Sequence, residues 1–228
     1  MTDIIGGFAQ ALRLILSGDP GLWQIIFLSL RVSGIALLLS SLLGVPFGAA
    51  VGLWRVPGQR LITLILYTGM GLPPVVVGLF VYILLSRSGP LGALGWLFTP
   101  KAMIVAQAII SLPLVAGLTM SAVQSVDPAL RLQLRSLGAT SRQEALAVLA
   151  EARIGVTAAI IAAFGSIISE VGAVMLVGGN IEGKTRVLTT AIVLETRQGE
   201  FAPAIALGII LLGLAFLANA ALIRLQGK

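Results

Sequence analysis

Residues 125–153 read SVDPALRLQLRSLGATSRQEALAVLAEAR, a charged stretch between two long apolar runs. Its first helix starts at Asp127-Pro128, because aspartate caps helix N-termini and proline is favoured at the first helical position. The helical pattern ALRLQLRSL then reaches Gly138, and glycine is the residue that most often ends a helix in the left-handed conformation. The stretch therefore predicts a helix that stops at a glycine turn.

A second helix follows this turn. It begins at Thr140 or Ser141, and Ser141 and Glu144 have the spacing of a capping box. Arg131 and Arg135 are four residues apart and share one face of the first helix. One interpretation is an amphipathic hairpin that rests on the lipid headgroups. The other is a protrusion from the membrane that a cytosolic partner binds. The pattern alone leaves both interpretations open.

The remainder of the chain is typical of a membrane protein. It has 228 residues, of which 57% are hydrophobic and 11% charged, whereas soluble domains carry about 25% charged residues. A helix needs about 20 apolar residues to cross a bilayer core. Continuous apolar runs of this kind lie at about 24–53, 61–86, 102–124, 154–178 and 203–223. The sequence predicts an all-α polytopic membrane protein, one domain over 1–228 with about five transmembrane helices.

Smaller features complete this prediction. Residues 3–17, DIIGGFAQALRLILS, are expected to form a helix that lies at the membrane interface rather than crossing it. Pro46 is the natural place for a bend in the first span.

With no Cys and no His in the chain, zinc sites, thiolate nucleophiles and imidazole bases are excluded. If 125–153 is cytoplasmic, that side carries only a small excess of Lys and Arg, including Arg55 in the joint at 54–60.

The stretch GGNIEGKT, Gly178 to Thr185, fits the phosphate-binding pattern G-x-x-x-x-G-K-[ST]. A true site needs a preceding strand, a following helix whose N-terminus meets the phosphates, and an acid for the metal. Gly178 instead ends a long apolar run, no aspartate lies downstream of Lys184, and Glu195 follows too closely. We expect a loop that fits the pattern by accident.

The order of elements resembles a known family. A long span, the SLGA turn, a charged helix and then AAFGSIISEVGAVMLVGGNIEGKTRVLTTAI are similar to permease subunits of ABC importers for oxyanions, most of all the tungstate permeases, beside those for molybdate and sulfate. GLPPVVVGLFVYILLSRSGPLG at 71–92 also resembles the tungstate branch, and the likeness spans roughly residues 25–225. The general permease signature is kept only at Gly138 and at the aliphatic Val148, since LQL stands where EAA is usual and Ala150-Glu151 where Leu-Pro is usual.

The resemblance implies an inner-membrane, multi-pass permease that moves tungstate by alternating access and is not itself an enzyme. Its partners would be a second copy of the chain, two ATPase subunits that hydrolyse ATP, an extracytoplasmic oxyanion-binding protein and membrane lipid. No nucleic acid, metal or cofactor is expected. The alternatives are a molybdate or sulfate permease, or a membrane scaffold or channel without an ATPase. The ATPase would grip 127–145, and the coupling residues implied are Asp127, Arg131, Arg135, Gly138, Ala139, Thr140 and Glu144.

The translocation path is expected where proline interrupts the backbone ladder of the second and third spans, since such breaks are tolerated beside protein or a water-filled cavity. The residues expected near the path or its gate are Gly71, Pro73, Pro74, Ser111 and Pro113. Gly44, Gly48 and Gly52 form a small-residue ridge that suits close packing within the subunit more than a gating role.

Two charges are predicted to lie inside spans. Arg31 and Glu170 are placed at similar depth, roughly 10–12 Å inside the outer surface at 1.5 Å per residue. Buried charges usually pair or serve a function, so we expect an ion pair between them. The alternative is that Glu170 lines the path.

The loop after the fourth span carries three cations, Lys184, Arg186 and Arg197. They are expected to attract the anion or to dock the binding protein. The alternative is ordinary solvated charge, because glutamates are interleaved with them. By the resemblance, this loop lies on the outer face.

Overall fold

The computed structural model of the protein describes residues 6, 9, 12–13, 15–54 and 56–226. No β-strand occurs among these residues. From residue 20 onward the helices are α1 (Pro20–Leu53), α2 (Gln59–Met70), α3 (Pro74–Leu85), a 3-10 turn (Gly92–Leu94), α4 (Pro100–Gln124), α5 (Pro128–Ser136), α6 (Ser141–Glu151), α7 (Arg153–Ile168), α8 (Gly172–Gly178), α9 (Leu188–Gln198) and α10 (Phe201–Gln226). Of the interfacial helix predicted at 3–17, the described residues are helical and exposed. The rest of that segment and Arg55 lie outside the described residues.

Three helices are long and apolar enough to cross a membrane alone: α1 with 34 residues, α4 with 25, and Phe201–Ala221 of α10 with 21. Helices α2 and α3 meet this requirement only together and are bent by 97° at their junction, and α6 and α7 meet it together with a bend of 58°. The described chain therefore has three spans, or up to five if each bent pair is one span. The predicted all-α membrane architecture is confirmed.

Two predicted spans are not single helices. The span predicted at 61–86 breaks because Pro73 and Pro74 lack N–H donors and proline disfavours helical backbone in the residue before it. The span predicted at 154–178 ends as α7 at Ile168 and restarts as α8 at Gly172. Here the Glu170 carboxylate accepts a hydrogen bond from the Ala173 backbone N–H at 3.0 Å and so caps α8. By contrast, α1 and α4 continue as helices through their internal prolines.

Polar side chains from neighbouring helices bond to backbone carbonyls at the second break. Gln107 of α4 donates from Nε2 to the Ile167 carbonyl at 2.8 Å. Thr189 of α9 donates from Oγ1 to the Glu170 carbonyl at 3.0 Å. The break is thus held from both sides, as buried backbone in a membrane requires.

The tightest packing in the bundle joins α1 to α4. A Cβ added at Gly48 would overlap the backbone of Ala116, and one added at Gly52 would lie 2.9 Å from Val123 Cβ. The small-residue ridge therefore packs within the subunit, as predicted. A second close approach joins the half-helices α3 and α8, where a Cβ at Gly78 would lie 2.6 Å from Ala173 Cα.

Helix α9 lies inside the segment predicted to be a loop. Its first residues, Leu188 to Ala191, are buried, and the Leu188 N–H donates to Ser29 Oγ of α1 at 2.9 Å. Thr190 Oγ1 accepts from the Val187 N–H at 3.1 Å. Side chains of two helices therefore fix the start of α9.

Candidate functional site: the α5–α6 hairpin and the α2–α3 elbow

The hairpin has the predicted form, helix, glycine turn, helix. Asp127 Oδ1 accepts from the Ala129 N–H at 2.8 Å and caps α5. Gly138 has a φ of +80°, a left-handed conformation that glycine adopts without a Cβ clash. The Ala139 N–H then donates to the Leu134 carbonyl at 3.0 Å and closes the turn.

The capping box of α6 differs from the one predicted. Thr140 is the cap: its Oγ1 accepts from the Gln143 N–H at 3.4 Å, and Gln143 Oε1 accepts from the Thr140 N–H at 2.8 Å. The predicted box of Ser141 and Glu144 is wrong, because Thr140 and Gln143 have the same spacing one residue earlier. Glu144 is therefore free to bond elsewhere.

Glu144 forms a bidentate ion pair with Arg135 across the turn. Arg135 Nε lies 2.8 Å from Glu144 Oε2, and Nη2 lies 3.0 Å from Oε1. The Glu144 side chain is only 11% exposed, whereas that of Arg135 is 65% exposed. The parallel geometry is the strong form of this interaction. It fixes α6 relative to α5.

Arg131 ties the hairpin to the membrane bundle. Its Nη1 donates to the carbonyl of Leu53, the last residue of α1, at 3.1 Å. Beneath it, Val126 and Val148 pack with Val123 of α4 and Ala49 of α1 in one apolar cluster. The two arginines predicted to share a face therefore have different partners.

The outer surface of the hairpin exposes large apolar side chains. Leu132 is 65% exposed, Leu137 84% and Leu146 58%. Leu130 and Leu134 are half-buried. Sequence reasoning did not single out the exposed leucines as functional, although the position of Leu137 beside the glycine turn was a signal for an exposed tip. An exposed apolar surface rimmed by charge is typical of protein docking sites.

Acid is expected to weaken the hairpin only well below neutral pH. The hydrogen bonds from Arg135 lower the pKa of Glu144 from its ordinary value of 4.5, with burial opposing them and the charges of Arg135 and Arg131 assisting. Because the folded-state pKa is the lowered one, the pair stabilises the hairpin above that ordinary value and the contribution is lost as pH falls through the lowered pKa. A carboxyl 13C NMR titration should give a lower Glu144 midpoint in the native chain than in Arg135→Gln. Equal midpoints would contradict the pairing.

The junction of α2 and α3, which we call the elbow (residues 71–73), borders a cavity of about 220 Å³. Three of the five predicted path residues line it, Gly71, Pro73 and Pro74, together with Ser166 of α7. The described lining contains no charged side chain. The elbow thus places backbone and small polar groups beside an open space within the bundle.

The other two predicted path residues lie elsewhere. Ser111 is fully buried, and its hydroxyl donates to the Gln107 carbonyl of its own helix at 2.8 Å. Pro113 lines a separate apolar groove of about 770 Å³, with Leu43 and Phe47 of α1. Two residues apart on a helix point in different directions, so a single helix cannot bring both to one cavity.

The predicted ion pair between Arg31 and Glu170 is not formed in this structure. Arg31 is exposed, and the Glu170 carboxylate caps α8 instead. Similar depth in the membrane does not place two side chains on facing sides of their helices. Glu170 acts on the break between the half-helices rather than between the first and fourth spans.

The loop Gly178–Thr185 has the geometry of a closed turn. Thr185, 1% exposed, donates from Oγ1 to the Gly178 carbonyl at 2.6 Å and accepts from the Ile181 N–H at 2.9 Å. A helix, α8, precedes the loop where a strand is required. The threonine hydroxyl, which would hold the metal of a nucleotide site, is already occupied.

The three cations of this outer segment differ in environment. Lys184 and Arg197 are exposed. Arg186 has a side chain only 20% exposed, and its Nη1 lies 3.5 Å from Glu182 Oε2. Two of the three predicted docking cations are therefore exposed at the surface.

Comparison with known proteins agrees with this architecture. The family model for the binding-protein-dependent transport system inner membrane component matches residues 44–226. A probable anion ABC transporter permease protein of Haloferax volcanii is 48% identical over 211 residues, 89% of this chain and 91% of that protein. A tungstate uptake system permease protein of Peptoclostridium acidaminophilum is 41% identical over 226 residues, 99% of each chain.

The fold is shared with a solved transporter. A bacterial alginate ABC transporter, crystallised in complex with an alginate pentasaccharide-bound periplasmic protein, has a chain that superposes with a TM-score of 0.75. The match is 21% identical and covers 97% of this chain and 85% of that one. The resemblance to ABC importer permeases is confirmed, and this chain belongs to the family of inner membrane components of binding-protein-dependent transport systems.

Proposed function

We propose that this chain is the permease subunit of an ATP-driven importer that carries tungstate into the cell by alternating access. The observation that carries the proposal is the α5–α6 hairpin, whose base is braced by charged hydrogen bonds while its outer surface exposes leucines. The substrate is taken from the tungstate uptake permease to which the chain is similar over nearly its full length. The whole chain acts as one transmembrane domain in this proposal.

In the assembled importer, two copies of the chain enclose the pore and each hairpin docks on one of two ATPase subunits. ATP hydrolysis belongs to those subunits, and this chain supplies the pathway. Closure of the ATPases draws the hairpins together and turns the pore from inward-facing to outward-facing. The residues that couple the hairpin to the ATPase are Asp127, Arg131, Arg135, Gly138, Ala139, Thr140 and Glu144. Among them, Arg131 bonds to the end of α1 and holds the hairpin in place rather than meeting the ATPase.

The elbow cavity is the part of each copy that faces the pore. Gly71 and Pro73 are exposed, so a second copy opposite them would complete a passage that one copy leaves open. An uncharged lining binds a doubly negative oxyanion weakly, which suits a passage because tight binding would stop release. The tungstate dianion is therefore expected to meet backbone and hydroxyl groups here and no fixed cation.

The cations of the segment after α8 face the extracytoplasmic side, from which the anion is delivered. Lys184 and Arg197 attract the anion or receive acidic groups of the extracytoplasmic binding protein, because exposed positive charge steers anionic partners. Arg186 contributes less, since Glu182 neutralises it.

The test is ATP hydrolysis in liposomes that contain the chain assembled with its ATPase and binding protein. Tungstate, molybdate and sulfate are added in turn. We expect tungstate to stimulate hydrolysis at a far lower concentration than the other two. Binding protein without anion is the control, and it should give only the basal rate.

Each other outcome has a definite meaning. Equal stimulation by several oxyanions would leave an oxyanion importer and remove tungstate as its particular substrate. Stimulation by molybdate or sulfate alone would reassign the substrate. If no ATPase assembles with the chain, the docking role of the hairpin is wrong and a scaffold or channel takes its place.

A further inference from the structure

The C-terminal end of α1 is held by side chains from two other elements. The last four carbonyls of a helix have no partner within it. In α1, the carbonyl of Val51 accepts from Gln59 Nε2 at 3.1 Å, and that of Leu53 accepts from Arg131 Nη1 at 3.1 Å. Gln59 is the first residue of α2, and Arg131 belongs to α5. The hairpin and α2 therefore both bond to the C-terminal end of α1.

The Arg131 contact restricts a specific motion of the hairpin. Two covalent joints attach the hairpin to the bundle, α4 to α5 and α6 to α7. A rigid body held at two joints still rotates about the line through them, and a third contact off that line removes the rotation. The apolar cluster beneath the hairpin is one such contact. Arg131 adds a hydrogen bond at the very end of α1, where its positive charge suits the negative end of a helix dipole.

The hairpin moves as one piece, because the Arg135–Glu144 pair fixes α6 to α5. Helix α1 is in turn locked against α4 by the close approach at Gly48. Because the hairpin cannot turn freely against the bundle, a force on it is passed to the end of α1 and, through Gln59, to the start of α2. Helix α2 has 12 residues and ends at the elbow.

We propose that Arg131 and Gln59 are positioning residues that transmit hairpin motion through the C-terminal end of α1 into α2 and the elbow. This inference rests on the proposed function, because it needs an ATPase that moves the hairpin. It adds a route and two residues, of which Gln59 is not among the coupling residues predicted from the sequence. Neither residue is required to touch ATP or the transported anion.

The absence of cysteine from the sequence permits a direct test. Leu72 lies at the elbow and is 43% exposed, so a single Leu72→Cys provides one thiol beside the cavity. In the full importer in liposomes, its labelling rate by a soluble maleimide is measured without nucleotide and with a non-hydrolysable ATP analogue. We call Leu72→Cys with no further substitution the native background. Its labelling rate should differ between the two states by about fivefold or more, the usual scale of coupling between sites.

The variants Arg131→Gln and Gln59→Leu are then compared in that background. We expect each to keep its ATPase partner in co-purification but to reduce the ATP-dependent change in labelling to less than about twofold. Anion uptake per ATP hydrolysed should fall in the same variants. Arg131→Lys, which keeps a charged donor, should restore part of the change. The matched control is Arg224→Gln, an exposed arginine in the last turn of α10.

Failure of the inference is distinct from failure of the proposed function. If the native background shows no ATP-dependent labelling change and no anion-stimulated hydrolysis, the importer function itself is wrong. If the native background responds and both variants respond equally, the transmission route is wrong. Loss of the ATPase from Arg131→Gln would also overturn the route, because Arg131 would then act in docking. In that case, Gln59→Leu still tests whether the end of α1 is coupled to the elbow.

Discussion

Replacing Gly48 with alanine is expected to destabilise the protein more than any other single methyl addition in α1. The added Cβ would overlap the backbone carbonyl of Ala116 in α4. A backbone carbonyl in the middle of a helix cannot rotate away, so the two helices must separate. Overpacking of this kind costs about 1–3 kcal/mol and sometimes more. Separation also loosens the contacts at Gly44 and Gly52, which pack against the same helix.

The measurement is thermal unfolding of the purified chain in detergent, with Gly34→Ala as the control. Gly34 lies in the same helix and is exposed, and beyond its own helix backbone no atom lies within 4 Å of the position that its Cβ would take. Alanine there should leave stability unchanged or raise it by roughly 0.5–1 kcal/mol, because glycine is the poorer helix former. Gly48→Ala should lower the melting temperature by about 10 °C. Equal melting temperatures for the two variants would show that α1 and α4 do not pack as described.

Reversing the charge of Glu144 is expected to weaken assembly with the ATPase strongly. In Glu144→Arg, an arginine would stand opposite Arg135 and near Arg131 in a site where the native side chain is only 11% exposed. Repulsion between the like charges and the cost of burying an unpaired cation both disfavour the native angle between α5 and α6. We expect ATPase recovered by co-purification to fall about tenfold or more, since the docking surface depends on that angle.

The exchange of both charges provides the decisive comparison. Glu144→Arg combined with Arg135→Glu restores an opposite-charge pair across the turn and should recover a substantial part of the binding. Glu151→Arg changes the net charge of α6 equally at an exposed residue and should bind normally. If the double exchange binds no better than the single reversal, or if the single reversal binds normally, the pair does not set the docking geometry.

Local signals explain why the hairpin was predictable. The Asp127 cap and the left-handed Gly138 each depend on a few neighbouring residues, and both occur where predicted. The capping box was misplaced by one residue because Thr140 and Ser141 both fit the pattern. The true partner of Glu144 is nine residues earlier in the chain, beyond any local pattern, and only the turn geometry brings Arg135 to it.

Properties that depend on direction around a helix were not predictable from spacing alone. The equal depth of Arg31 and Glu170 was a reasonable inference, but depth does not fix which way a side chain faces. The break after Ile168 was missed because hydropathy averages over a window, and one serine and one glutamate do not lower it enough. The roles of Gln107 and Thr189 depend on that break, so the sequence offered no reason to select them.

The lengths of the half-helices have a consequence for how the protein is made. Helix α8 has 7 residues, far fewer than the about 20 that a segment needs to enter a bilayer alone. Its carbonyl at Glu170 is satisfied by Thr189, which is synthesised later. Helix α8 packs on α3, which is made earlier, but the Glu170 carbonyl gains its partner only after α9 has emerged from the ribosome. We therefore expect insertion of this region to be completed only once α9 has been synthesised.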